Sequence, residues 1–127
     1  MNENTSIAIL SANKLMRSPE QVAAFENALA ELAQHPNSQY LRELHLILDD
    51  NCQHQEVMFS LLHFLESFDV KAQIQAFIDV MPQLIISAPE WTEIIHQRIL
   101  NDESANVYYQ EILKSLDHKN QPLAISN

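Results

Sequence analysis

Gln53 to Phe68 reads Gln-His-Gln-Glu-Val-Met-Phe-Ser-Leu-Leu-His-Phe-Leu-Glu-Ser-Phe, and this stretch decides the fold. Val57, Met58, Phe59, Leu61, Leu62, Phe64 and Leu65 leave little room for a polar face, and a helix apolar nearly all round usually sits at the centre of its domain. The flanking segments repeat the helical period. On the C-terminal side Asp69 caps a helix carrying Ile74, Phe77, Ile78, Met81 and Ile85 at helical spacing, with Pro82 inside it predicting a kink or an early break. Ser87-Ala88-Pro89-Glu90 restarts a helix with Trp91, Ile94, Ile95 and Ile99 on one stripe, and Asp102 or Ser104 opens a last one through Tyr108, Ile112 and Leu116.

On the N-terminal side the signals are similar. Ser6 to Leu15 reads as a short weak helix. Ser18-Pro19-Glu20-Gln21 combines a serine cap, a proline at the first helical position and a glutamine able to close a capping box. The helix it opens carries Val22, Phe25, Leu29 and Leu32 and stops near His35-Pro36. Asn37 or Ser38 opens another, with Tyr40, Leu41, Leu44, Ile47 and Leu48 inward, ending around Asp49-Asp50-Asn51. The expectation is an all-α fold of six or seven antiparallel helices, as a bundle or a short α–α superhelical stack. Residues 1–127 form one domain, with residues 1–5 and 117–127 as frayed tails.

Composition agrees. The chain of 127 residues has no glycine, against roughly nine at average usage. Hairpins and phosphate-cradling loops depend on glycine, so the gap argues against a β-rich fold and excludes the Gly-rich nucleotide motifs. A single cysteine, Cys52, excludes an intrachain disulfide and suits a reducing compartment. The N-terminus lacks the basic region of a signal peptide, and no apolar run reaches membrane-spanning length. A cytoplasmic location is expected.

Charge is the strongest functional signal. From Glu43 to Glu103 the acids are Glu43, Asp49, Asp50, Glu56, Glu66, Asp69, Asp79, Glu90, Glu93, Asp102 and Glu103, against Lys71 and Arg98. That leaves minus nine in this window, nearly the whole-chain value of −10. Such a surface repels nucleic acid and anionic membranes and attracts cationic partners. In an up-and-down helix array, Asp49, Asp50 and Glu90 gather at one end, and Glu66, Asp69, Asp102 and Glu103 at the other. Acids at helix starts also serve as caps and complement the dipole, which accounts for Asp69, Glu90 and Glu103 singly. Capping does not account for the missing lysines and arginines. The candidate partner-binding set is therefore Asp49, Asp50, Glu56, Glu66, Asp69, Glu90, Trp91, Asp102 and Glu103; the aromatics, at core spacing, are expected to pack, and Trp91 too favours packing, though it is the one among them with a case for partner contact.

Chemical motifs are weak. Glu93-Ile94-Ile95-His96 has the Glu-x-x-His spacing of a helical metal site, but His63 and Glu66 stand in the reversed order and a second such motif is missing. Cys52 lies among Asp49, Asp50 and Glu56, which raise a thiol's pKa, opposite to what a nucleophile needs. No catalytic residue, no metal site and no cofactor is expected.

Two blocks carry a family resemblance: Glu56-Val57-Met58-Phe59-Ser60-Leu61-Leu62-His63-Phe64-Leu65-Glu66-Ser67-Phe68, and Ala88-Pro89-Glu90-Trp91 running on to Gln97-Arg98-Ile99-Leu100-Asn101-Asp102. Together they resemble the all-α immunity proteins of bacterial polymorphic toxin systems, in particular immunity protein 30, over about Tyr40 to Leu116. The resemblance implies a small cytoplasmic protein that binds and neutralises a cognate toxin, and it supplies no catalytic residues. A basic toxin domain is the partner that the charge suits best. The alternatives are a helical-repeat adaptor for another basic protein or peptide, and a metal-dependent enzyme using His63, Glu66, Glu93 and His96. The buried stripes leave the oligomeric state open.

Overall fold

The computed structural model describes residues 2–119 and contains, among them, seven α-helices and no strand. They are α1 (Glu3–Asn13), α2 (Pro19–Gln34), α3 (Leu41–His45), α4 (Gln55–Glu66), α5 (Val70–Ser87), α6 (Pro89–Leu100) and α7 (Glu103–Lys119), with a 3-10 turn over Ser38–Tyr40 before α3. The helix starts are chemically explicit. Asn2 accepts from the Thr5 amide at 2.8 Å, and Ser18 accepts from Gln21 at 3.2 Å while Gln21 reaches back to the Arg17 amide at 2.6 Å. Asp69 accepts from Ala72, and Asp102 from Ala105, each at 3.1 Å. Each bond satisfies an amide that has no partner inside its own helix.

Helix α1 begins at Glu3, so helical structure reaches into the segment expected to fray, while α7 runs on to Lys119. The rest of the expected C-terminal tail, residues 120–127, lies outside the described residues. The third helix stops at His45, short of the expected Asp49. There the Ile47 amide bonds to the Leu44 carbonyl and Leu48 to His45, each three residues back, and this tighter winding turns both Ile47 and Leu48 into the core. The break expected at Pro82 does not occur: α5 continues through it. Proline there removes one hydrogen bond, but Ile78, Val80, Met81 and Leu84 are all buried around it and hold the helix by packing.

The expectation of α4 as the central helix is modified. Its 12 residues bury Val57, Met58, Leu61, Leu62 and Leu65 but leave Ser60 and His63 in water. The 18-residue α5 is the hub, packing on α3, α4, α6 and α7, while the α1–α2 pair joins through α2 against α4. One contiguous core runs from Leu10 to Leu113 through Phe25, Leu61, Phe77, Leu84, Trp91 and Tyr109. Met16, after α1, has φ 54°. A β-carbon there costs about 1–2 kcal/mol, and complete burial of the Met16 side chain offsets a comparable amount.

Candidate functional site

The acids were expected at two ends, and the structure shows what each does there. At the first end, the segment after Leu48 is clamped between the α1–α2 turn and the start of α6. Gln53 donates its amide to the Leu15 carbonyl at 3.0 Å, and Lys14 meets the Asp49 carboxylate at 3.6 Å. Helix α6 has Ala88 at its cap position, with no side chain able to accept. Asp50 takes that role from 40 residues away: its two carboxylate oxygens accept from the amides of Glu90 at 2.9 Å and Trp91 at 3.1 Å. Glu90 and Glu56 are exposed in the first turns of α6 and α4, so Asp49, Asp50, Glu56 and Glu90 do come together around this segment.

Trp91 packs, the outcome its apolar stripe favours. It is 1% exposed, its ring nitrogen donates to the Asp49 carbonyl at 3.1 Å, and Phe59 meets it edge-on at 4.8 Å. A side chain so enclosed is committed to packing, and it fastens the Asp49–Asp50 segment to α6.

Cys52 is buried in the same region. Burial pushes its thiol pKa up, against a lowering by the His54 backbone amide, and Asp49, Glu56 and Asp50 push it further up. The thiol stays protonated at neutral pH and is a poor nucleophile. Glu56 is held below the usual range by its own backbone amide and then by His54.

At the other end Arg98 grips Glu66 through two bonds of 2.6 and 2.7 Å. Glu66 and Asp102 both line a cleft of about 450 Å³ with Val70, Gln73 and Ile99. Asp69 and Asp102 cap α5 and α7, and Glu103 stands exposed in the first turn of α7. Asp79 is met by Arg42 at 3.4 Å and by Gln75 at 3.0 Å. The acids thus divide into those that stitch the fold and those, chiefly Glu56, Glu90, Glu93 and Glu103, that face water.

The metal candidates are not gathered. Glu66 belongs to Arg98, His96 Nδ1 lies 2.8 Å from the Tyr109 hydroxyl, and Gln97 donates to Glu93 at 2.8 Å. Among the described residues no three His, Cys, Asp or Glu side chains converge as ligands.

Sequence reasoning missed what Glu93 and His96 do line, a cleft of about 340 Å³ between α5 and α6 with Phe77, Ile85, Pro89 and Thr92. Tyr109 backs it, fully buried, its pKa pushed up to about 12 by burial and then by Glu93. The Glu-x-x-His spacing was the available signal, but only the position of α7 shows that His96 turns to a tyrosine. His45, also buried, has its pKa lowered by desolvation, against a raising by its bond to the Leu41 carbonyl.

No helix among the described residues is long and apolar enough to cross a membrane. No curated protein and no solved structure matches the chain significantly. The family model of immunity protein 30 matches residues 12–109. The match takes in all of α2, which the resemblance from Tyr40 onward left out, and stops at the buried Tyr109. With most of its length inside that match, five of its helices in whole and the other two in part, the chain belongs to the immunity protein 30 family.

Proposed function

We propose that this chain is a non-catalytic antidote of a polymorphic toxin system, acting in the cytoplasm by docking its acidic surface on a basic toxin domain. Membership in the immunity protein 30 family is the observation that carries this reading, since it supports a toxin-neutralising role. The charge supports the choice of partner. The net charge is −10, and among the described residues no lysine or arginine pairs with Glu56, Glu90 or Glu103. Surface charge with no lysine or arginine beside it gives an association rate that depends on ionic strength, and fast capture matters for an antidote. Docking on a rigid helical face needs no reaction, and no nucleophile or metal enters the proposal.

The test is co-expression with the toxin encoded beside this chain, scored by growth, followed by association kinetics of the purified pair at rising salt. Rescue is expected, with an association rate that falls by about tenfold or more between low and high ionic strength. A toxin left active, or an association rate indifferent to salt, overturns the reading.

A further inference from the structure

The cleft between α5 and α6 has walls that differ in chemistry. Phe77 and Ile85 of α5 and Pro89 at the start of α6 are apolar, and Thr92, Glu93, His96 and Gln97 of α6 are polar. Most of the polar side is already committed. The Thr92 hydroxyl donates to the Ala88 carbonyl at 2.8 Å, and His96 Nδ1 is engaged with Tyr109. Glu93 is the group with capacity left: Gln97 occupies Oε2, and the side chain is exposed. No lysine or arginine lines the cleft, and Glu90 stands one turn earlier on the same helix. Next to Ile85 in the chain, Ile86 is 83% exposed, the most exposed large apolar side chain of the described residues. An apolar contact bordered by carboxylates is how an interface anchor is usually built.

The cleft's chemistry selects its occupant. An anion would meet the Glu93 carboxylate, and a purely apolar side chain would cover its remaining oxygen without offering that a donor. A cation on a hydrocarbon stem suits both walls. About 340 Å³ is at the small end of ligand clefts, which fits a side chain rather than a cofactor.

Building on the toxin-binding reading above, we propose that this cleft receives a long basic side chain of the protein partner, its stem against Ile85 and Pro89 and its charged end on Glu93, with Ile86 as the flanking apolar contact. The cleft formed by Pro19, Val22 and Ala23 serves as a comparison, because Arg17 lines it beside Glu26 and balances its charge.

The probes are Nα-acetyl-arginine amide, Nα-acetyl-lysine amide and the uncharged Nα-acetyl-norleucine amide, titrated into the full chain labelled at backbone nitrogen and isoleucine methyls. A basic probe is expected to shift the Ile85 methyl and the Thr92, Glu93 and His96 amides saturably, and Glu93→Gln to weaken that by about tenfold. Norleucine amide should leave these signals in place. Equal shifts with norleucine, no response to Glu93→Gln, or equal shifts around Val22 would overturn the proposal. So would a doubled mass in light scattering that Ile86→Ser abolishes, because the occupant would then be a second copy. Both substituted residues are exposed, so thermal melts should match the parent chain. In complex with the toxin, Glu93→Gln and Ile86→Ser should each weaken affinity by about tenfold or more. Unchanged affinity in both rejects this surface while the antidote reading stands. A parent chain that neutralises no toxin rejects that reading, and the free probes still decide the cleft.

Discussion

Asp50→Ala removes the cap of α6 without touching α6 itself. In the parent chain the carboxylate accepts from two first-turn amides, Glu90 at 2.9 Å and Trp91 at 3.1 Å, and Ala88 at the cap position has nothing to substitute. Losing an N-cap costs about 1 kcal/mol, and hydrogen bonds to a charged acceptor run about 1.5–3 kcal/mol, with the helix dipole favouring the anion besides. These contributions overlap, so the expected loss is about 2–3 kcal/mol. For a chain of this size that is a fall in Tm of roughly 10 °C. A smaller effect acts the other way, because one fewer carboxylate in a chain of net charge −10 relieves some self-repulsion.

Asp50→Asn separates the two. It relieves the same charge but keeps one acceptor oxygen, so it should lie between the parent chain and Asp50→Ala in urea-unfolding midpoint. Adding Ala88→Ser to Asp50→Ala supplies a local hydroxyl at the cap and should recover about 1 kcal/mol. If Asp50→Ala unfolds within about 0.5 kcal/mol of the parent, or Asp50→Asn is the less stable of the two, the long-range cap is not what holds α6.

His45 gives a pH dependence. Its pKa is lowered in the folded state, so below about pH 6.5 the unfolded chain binds a proton that the folded chain does not. Stability is then full above that pH and declines as pH falls through it, and His45→Gln should flatten the decline between pH 7 and 5.5 in urea titrations. Cys52 should react with iodoacetamide at pH 7.5 far more slowly than a free thiol and become fully reactive in urea, since burial and neighbouring acids keep it protonated. Arg98→Ala should cost about 1 kcal/mol or less in thermal melts because the pair with Glu66 is exposed to water. Trp91→Phe should cost about 1–2 kcal/mol through the lost bond to Asp49, while Trp91→Ala should cost about 3–5 kcal/mol.

Local chemistry was legible in the sequence and long-range chemistry was not. Ser18, Asp69 and Asp102 cap as their positions suggested, because a cap and its amide lie within three residues. Pro19 and Pro89 open helices because the first turn needs no amide donor there. Asp50 left no such trace, since its partners are 40 and 41 residues on and nothing in the pattern links them. The apolar stripe of α6 pointed Trp91 inward, but its partners left no trace for the same reason: the carbonyl of Asp49 and the ring of Phe59 come from distant segments. The third helix ended early because burying Ile47 and Leu48 together required a tighter turn than helical periodicity implies.

Counting acids therefore measures two different things. Asp50, Glu66, Asp69 and Asp102 already bond to other groups of the chain, which leaves them less capacity for the short bonds that hold a complex together. Their charge still reaches across a Debye length, and a bonded carboxylate steers an approaching cation with a field that its own cap bond does little to quench. Glu90, Glu93 and Glu103 can do both, being charged and exposed. The acidic character is thus spread over the whole molecule, whereas the contact proposed above uses only a few side chains at the α5–α6 cleft. Neutralising a capping acid should lower stability and the association rate together, and neutralising Glu93 should instead raise the dissociation rate. A chain can therefore carry far more negative charge than its interface uses, because the same carboxylates that draw the partner in also start the helices.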